Sequence, residues 1–204
     1  ASMSNPVRPY SRTRGLLGVS GGIASYKSAW LARLLTQATA EVDVVLTRSA
    51  TEFVGAITFE ALTGRPVHTE LIQAGHALDH IHLARSAELI IIAPATADFV
   101  ARAALGQAND LLSACLLATE APVLFVPAMN DRMYSDDATQ ENLRVLRERG
   151  VHVIEPETGP LASRGEHGTG RLPEPERLMA EIEALLPAAS GAWPCLVAVM
   201  IFCC

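Results

Sequence analysis

The sequence predicts an α/β fold, a Rossmann-like (flavodoxin-like) three-layer domain with a parallel sheet. Three observations carry that expectation. Short aliphatic runs at residues 16–19, 42–46, 89–93, 123–126 and 151–154 alternate with stretches whose apolar residues recur at helical spacing. The runs at 89–93 and 123–126 are continuously apolar rather than alternating, as strands covered on both faces are. Those two runs also end on Pro94 and Pro127 and pass into small and amide-bearing residues, Ala95-Thr96-Ala97-Asp98 and Ala128-Met129-Asn130. Open α/β sheets bind their ligands in such loops at strand ends.

A chain of 204 residues that is 50% hydrophobic but only 5% aromatic fits one domain with an aliphatic core. A net charge of -6 and the lack of any long lysine or arginine block argue against nucleic acid as a partner. Residues 1–14 are polar, basic and proline-containing, without the apolar centre of a secretory signal, and read as a disordered leader. The domain is expected over 15–187, followed by a linker and an apolar, cysteine-ending tail at 188–204. Cys115 falls in a helix while Cys195, Cys203 and Cys204 crowd the tail, which is no disulfide framework, so a cytoplasmic location is expected. The tail is shorter than the roughly 20 residues of a spanning helix, so no membrane partner is expected.

In chain order, the first run meets Ser20-Gly21-Gly22-Ile23-Ala24-Ser25-Tyr26-Lys27, after which Trp30, Leu31, Leu34 and Leu35 mark a helix. Such a turn offers backbone N–H groups at a positive helix start and suits a phosphate. Its glycine spacing is neither that of the dinucleotide fingerprint nor that of a Walker loop, and a tight connection alone would read the same way. After the second run, Thr47-Arg48-Ser49 leads into a helix expected over 50–62, with Ser49 and Glu52 as a capping box and Gly64 as the stop. Ser49 is open to both a capping and a ligand role. Residues 66–75 read as irregular, 98–119 as mostly helical, and 137–149 as a helix stopped by Gly150. Residues 159–171, with Gly159, Gly165, Gly168, Gly170 and Arg171, read as a long mobile lid before a last helix at 174–186.

Four segments together resemble the homo-oligomeric flavin-containing cysteine decarboxylases: Gly21-Gly22-Ile23-Ala24-Ser25-Tyr26-Lys27, His80 before Ile81-His82-Leu83, Pro94-Ala95-Thr96-Ala97-Asp98, and Pro127-Ala128-Met129-Asn130-Asp131-Arg132-Met133-Tyr134. The family includes phosphopantothenoylcysteine decarboxylases of coenzyme A synthesis and peptidyl-cysteine decarboxylases of lantibiotic maturation. The resemblance covers residues 16–186, with Tyr134 where tryptophan is common. It implies FMN as cofactor, trimers that often assemble into dodecamers, and flavin sites where subunits meet. It implies a phosphate turn at Gly21, Gly22 and Ile23 with Thr47 and Ser49, and a flavin lining of Thr96, Asp98, Ala128 and Met129. His80 matches the catalytic base and Asn130 the residue holding substrate, with Met133 and Arg171 as further substrate contacts; no metal is expected. His82, two positions on, faces away from His80 whether the segment is strand or helix.

The implied chemistry explains the residue types. Direct loss of CO2 from a cysteine carboxylate leaves an unstabilised carbanion, so the flavin first removes two electrons to give a thioaldehyde, and decarboxylation then yields an enethiolate. A neutral histidine can accept the proton, and an amide can bind a carboxylate without adding charge. Where coenzyme A members commonly have a lid cysteine that donates a proton, this chain has Ser163 or Arg164. The sequence also ends on Cys204 where bacterial coenzyme A enzymes usually continue into a ligase-type domain. The favoured expectation is therefore FMN-dependent oxidative decarboxylation of a peptide's C-terminal cysteine, with the chain's own tail mimicking substrate. The alternatives are phosphopantothenoylcysteine as substrate, or a non-catalytic flavoprotein regulator.

Overall fold

The structure is a computed structural model that describes residues 13–38, 40–71, 78–162 and 165–185. The tail at 188–204, most of the leader at 1–14, and the lid positions Ser163 and Arg164 lie outside the described residues. The first half runs β1 (Arg14–Val19), α1 (Ser25–Gln37), β2 (Glu41–Leu46), α2 (Arg48–Thr51), α3 (Ala56–Thr63), β3 (Val67–His68), α4 (Asp79–Ser86) and β4 (Leu89–Ala95). The second half runs α5 (Ala97–Ala104), α6 (Leu111–Ala118), β5 (Val123–Pro127), α7 (Asp131–Ser135), α8 (Asp137–Glu148), β6 (His152–Val153), β7 (Glu157–Pro160), β8 (His167–Arg171) and α9 (Pro175–Leu185).

Six of these strands form one parallel sheet in the order β3-β2-β1-β4-β5-β6. The order reverses between β1 and β4, the switch point at which doubly wound sheets open a crevice at the strand C-termini. Side chains alternate across the sheet with the strand period of two. Leu17, Val19 and Ile91 join Leu31, Phe59 and Leu178 on the face covered by α1, α3 and α9. Leu16, Ile90 and Ile92 join Leu83, Phe99, Leu112 and Leu143 on the face covered by α4, α5, α6 and α8. Gly18 allows the close fit there, because a Cβ on it would lie 2.4 Å from Leu112 Cδ1 and 2.8 Å from Ile92 Cδ1. Among the described residues no helix is long and apolar enough to cross a membrane.

The five expected strands and their alternation with helices are present, and four local expectations are corrected. Residues 66–75 are not wholly irregular: Val67 and His68 add β3 as an edge strand beside Val44 and Val45. The helix expected over 50–62 is two helices, and the box at Ser49 and Glu52 does not form, because Thr47 caps α2 by accepting from Ala50 N. Gly64 does end α3, in the left-handed conformation. The helical stretch at 98–119 is divided at Gly106, and Asp110 restarts it with a capping box to Ser113.

Within the segment expected as a mobile lid, β7 and β8 pair as an antiparallel hairpin docked on the loop after β5. Met129 N donates to Gly170 O at 3.0 Å. The hairpin glycines serve close approach: a Cβ on Gly168 would lie 2.6 Å from Asp131 Cβ, and one on Gly170 2.1 Å from the Met129 carbonyl oxygen. Backbone cannot yield as a side-chain tip can. Gly170→Ala is therefore expected to lower stability on the order of 1–3 kcal/mol in urea unfolding. Gly15→Ala, whose Cβ meets nothing within 4 Å, is expected to stay within about 0.5 kcal/mol of wild type.

Candidate active site

The site begins where the β1 ladder stops. Ser20 is buried, its hydroxyl donating to Pro94 O at 2.7 Å and accepting from Thr96 N at 2.9 Å. Its carbonyl accepts from Thr47 Oγ1 at 2.8 Å. The ends of β1, β2 and β4 are thus tied together by side chains after their ladders end. Gly21 and Gly22 then turn with φ of 126° and 84°, in the region that disfavours other residues. The N–H groups of Gly21, Gly22 and Ile23 have no acceptor among the described residues.

Helix starts differ around this point. Thr47, Thr96 and Asn130 cap α2, α5 and α7 with their own oxygens. Ala24, at the start of the 13-residue α1, has no side chain that can cap. Ser25, in the same turn, keeps a buried hydroxyl with no partner among the described residues. Open N–H groups at an uncapped helix start favour an anion, and a phosphate fits that donor set.

The turn opens onto a cavity of about 540 Å³. One wall is Gly21, Gly22, Ile23, Tyr26 and Lys27; another is Ala128, Met129 and Asn130; the hairpin adds Pro160, Leu161, Gly170 and Arg171. Its volume and mixed lining are those of a cofactor or small-ligand pocket.

Of the residues singled out in the sequence, the cavity gathers Gly21, Gly22, Ile23, Ala128, Met129, Asn130 and Arg171. The others stand apart from it. The Thr47 hydroxyl is spent on Ser20 O and Ala50 N, and Ser49 is exposed but its Cβ lies 3.0 Å from where a Cβ on Gly21 would be. Thr96 reaches within 3.8 Å of the corresponding point on Gly22; its hydroxyl accepts from Phe99 N at 3.3 Å and shares a 3.3 Å hydrogen bond with Ser20 Oγ. Asp98 points outward and pairs with Arg102 at 3.0 Å. Met133 is half exposed. His80 sits in the first turn of α4, which packs on the sheet face opposite α1, and its Nδ1 is buried without a partner among the described residues. Because α4 leads into β4, its N-terminus lies at the same edge of the sheet as the turn.

Three contributors escaped sequence reasoning. Ser20 flanks the glycine motif and has no distinguishing pattern. Glu166 accepts from Asn130 Nδ2 at 2.9 Å across 36 residues of chain. Lys27 closes the quoted motif yet had no role attached. It is 6% exposed, and its Nζ donates to Leu172 O at 2.8 Å and Glu174 Oε1 at 2.9 Å, joining α1 to the chain that leaves the hairpin. The Lys27 hydrogen bond holds the Glu174 carboxyl below its ordinary range, with Arg171 adding to it. Cys115 is no nucleophile: burial pushes its thiol up to about 12. Burial and Glu155 also raise Tyr134 to about 12, and its ring packs on the core beside α8.

Fold and site together define a doubly wound nucleotide-binding α/β protein with an anion-ready turn at its switch point. More particularly, the chain belongs to the Flavoprotein family, whose model matches residues 3–187. It is 50% identical over 171 residues to the coenzyme A biosynthesis bifunctional protein CoaBC of Mycobacterium tuberculosis strain H37Rv, covering 84% of this chain and 41% of that protein. It is 49% identical over 169 residues to CoaBC of Haemophilus influenzae, covering 82% and 42%. The chain thus spans less than half the length of these curated relatives. Among solved structures it is similar to the FMN-dependent cysteine decarboxylase SpaF, with a TM-score of 0.72, 31% identity, and 85% and 95% of the two chains covered. It is also similar to a PPC decarboxylase mutant complexed with pantothenoylaminoethenethiol, with a TM-score of 0.75, 29% identity, and 85% and 97% covered.

Replacing Lys27 by Met keeps most of its volume and leaves the Leu172 carbonyl without its donor. The expected cost is on the order of 1–3 kcal/mol in urea unfolding at neutral pH. A depressed carboxyl contributes stability above its unfolded pKa that is lost as pH falls through the folded one. Glu174 therefore weakens wild type as pH drops below its ordinary value of 4.5, and Lys27→Met is expected to flatten that acid limb.

Proposed function

We propose that the chain uses FMN to decarboxylate the cysteine of phosphopantothenoylcysteine, the step that coenzyme A synthesis requires of a cysteine decarboxylase. The observation that carries this reading is one cavity joining a phosphate-ready turn, Gly21 to Ile23, to the amide of Asn130. Half identity with two CoaBC proteins supports phosphopantothenoylcysteine over the cysteine-ending peptide that Ser163, Arg164 and the tail favoured in the sequence. The reading is of an enzyme, not a flavin-bearing regulator.

When bound, FMN would supply the two-electron oxidation of the thiol-bearing unit that makes loss of CO2 feasible and, once reduced, would return the two electrons to the enethiolate, so that one CO2 is the net loss. The N–H groups of Gly21, Gly22 and Ile23 hold the phosphate, and Arg171, paired with Glu174, lines the same cavity. Ala128 and Met129 form an apolar part of the cavity wall. Asn130 spends Oδ1 on Arg132 N and offers Nδ2 to the substrate carboxylate. His80 takes the proton released when the thiol-bearing carbon is oxidised.

Within one chain His80 does not line the cavity, and we assign its completion to homo-oligomer formation. Ile23 in the turn and Tyr26 and Trp30 on α1 are 58%, 63% and 46% exposed and run from the cavity along the helix. A second copy covering that stripe encloses the open side of the site. Trimeric packing is the form the sequence resemblance implies.

Mass spectrometry after incubation of the flavin-bearing protein with phosphopantothenoylcysteine is expected to show a loss of about 44 Da, one CO2. A cysteine-ending peptide is expected to stay unchanged; a loss of about 46 Da from the peptide alone would install the peptide reading instead. His80→Gln is expected to retain FMN and lower turnover by about 10²–10⁴-fold, the usual worth of a general base.

A further inference from the structure

Asn130 is gripped from two sides. Its Oδ1 accepts from Arg132 N at 2.9 Å as the cap of α7, and its Nδ2 donates to Glu166 Oε2 at 2.9 Å. Flipping the amide would set its NH2 against the Arg132 N–H and its oxygen against the Glu166 carboxylate, so the pair of contacts fixes one orientation. One Nδ2 proton is used on Glu166; the other has no acceptor among the described residues, and Asn130 lines the cavity.

Glu166 is carried by the hairpin. Its carbonyl accepts from Leu161 N at 3.0 Å beside the β7–β8 ladder, while the base of the hairpin is fastened by Met129 N on Gly170 O at 3.0 Å. The acceptor that orients Asn130 therefore belongs to the element that walls the cavity, and docking of the hairpin and orientation of the amide are a single event.

We propose that Glu166 is a positioning residue for substrate: as an acceptor it holds Asn130 with its free N–H presented to the substrate carboxylate. This rests on the decarboxylase reading above. The role needs an acceptor and not a charge. A carboxylate beside a site for an anionic substrate opposes binding electrostatically, so a neutral acceptor is expected to serve as well or better.

The test uses flavin-bearing wild type, Glu166→Ala and Glu166→Gln. Isothermal titration measures binding of a phosphopantothenoylcysteine analogue whose thiol is replaced by hydrogen, and steady-state kinetics with the true substrate separates KM from kcat. Glu166→Ala is expected to raise the dissociation constant and KM about tenfold, the worth of a lost charge-assisted hydrogen bond, with kcat changed less than about threefold. Glu166→Gln is expected to bind at least as tightly as wild type. Analogue binding by Glu166→Ala equal to wild type overturns the proposal, as does Glu166→Gln binding as weakly as Glu166→Ala. Wild type that binds the analogue but releases no CO2 overturns the decarboxylase reading, while the ratio between variants still decides the role of Glu166. Wild type that binds no analogue overturns both.

Discussion

Everything at the ligand end of this fold depends on how three parallel strands finish. Once the β1 ladder stops at Val19, the ends of β1, β2 and β4 have polar backbone that must be paired inside a buried region. Ser20 does this with one side chain and one carbonyl, reaching Pro94, Thr96 and Thr47. The strand ends are held by these bonds, so the next residues are free of that duty. Gly21, Gly22 and Ile23 can turn outward with their N–H groups open, at a helix start that Ala24 leaves uncapped.

The same economy shapes the rest of the site. Thr96 and Asn130 cap their own helices, and Asn130 still keeps one Nδ2 proton for a ligand. The hairpin of β7 and β8 closes the cavity without a large hydrophobic interface of its own. It is held instead by glycines that let backbone touch backbone at Met129, and by the buried ammonium of Lys27 on the Leu172 carbonyl. A buried lysine is costly unless its hydrogen bonds are made, which makes Lys27 a demanding latch and ties the hairpin to the helix whose start faces the phosphate site.

Much of this was legible in the sequence, for identifiable reasons. The aliphatic runs and the glycine turn are local signals, so β1, β2, β4, β5, β6 and α1 could be anticipated, and the resemblance grouped Gly21 to Ile23 with Ala128 to Asn130. Two-residue β3 has too little sequence to show a period, and Val67-His68 is a strand only because β2 lies alongside. Ser49 with Glu52 matches the capping-box pattern, yet Thr47, at the end of β2, is the residue that caps α2. The pairing of β7 with β8 was not anticipated, because glycines usually mark freedom, whereas Gly168 and Gly170 allow close contact. Lys27 with Glu174, and Asn130 with Glu166, join residues far apart in the chain, and a single sequence holds no trace of such pairings. His80 was legible only through resemblance, and within one chain it is not among the residues lining the cavity.

The central claim is that the open N–H groups after β1 hold the phosphate of a flavin. Titrating flavin-free protein with FMN and with riboflavin, followed by quenching of flavin fluorescence, tests it most directly. FMN is predicted to bind at least about 100-fold more tightly, the worth of about two charge-assisted hydrogen bonds, and Gly22→Val, which forces a branched side chain into the turn at a φ of 84°, is predicted to erase most of that difference. Equal affinity for the two flavins in the wild-type protein would contradict the account.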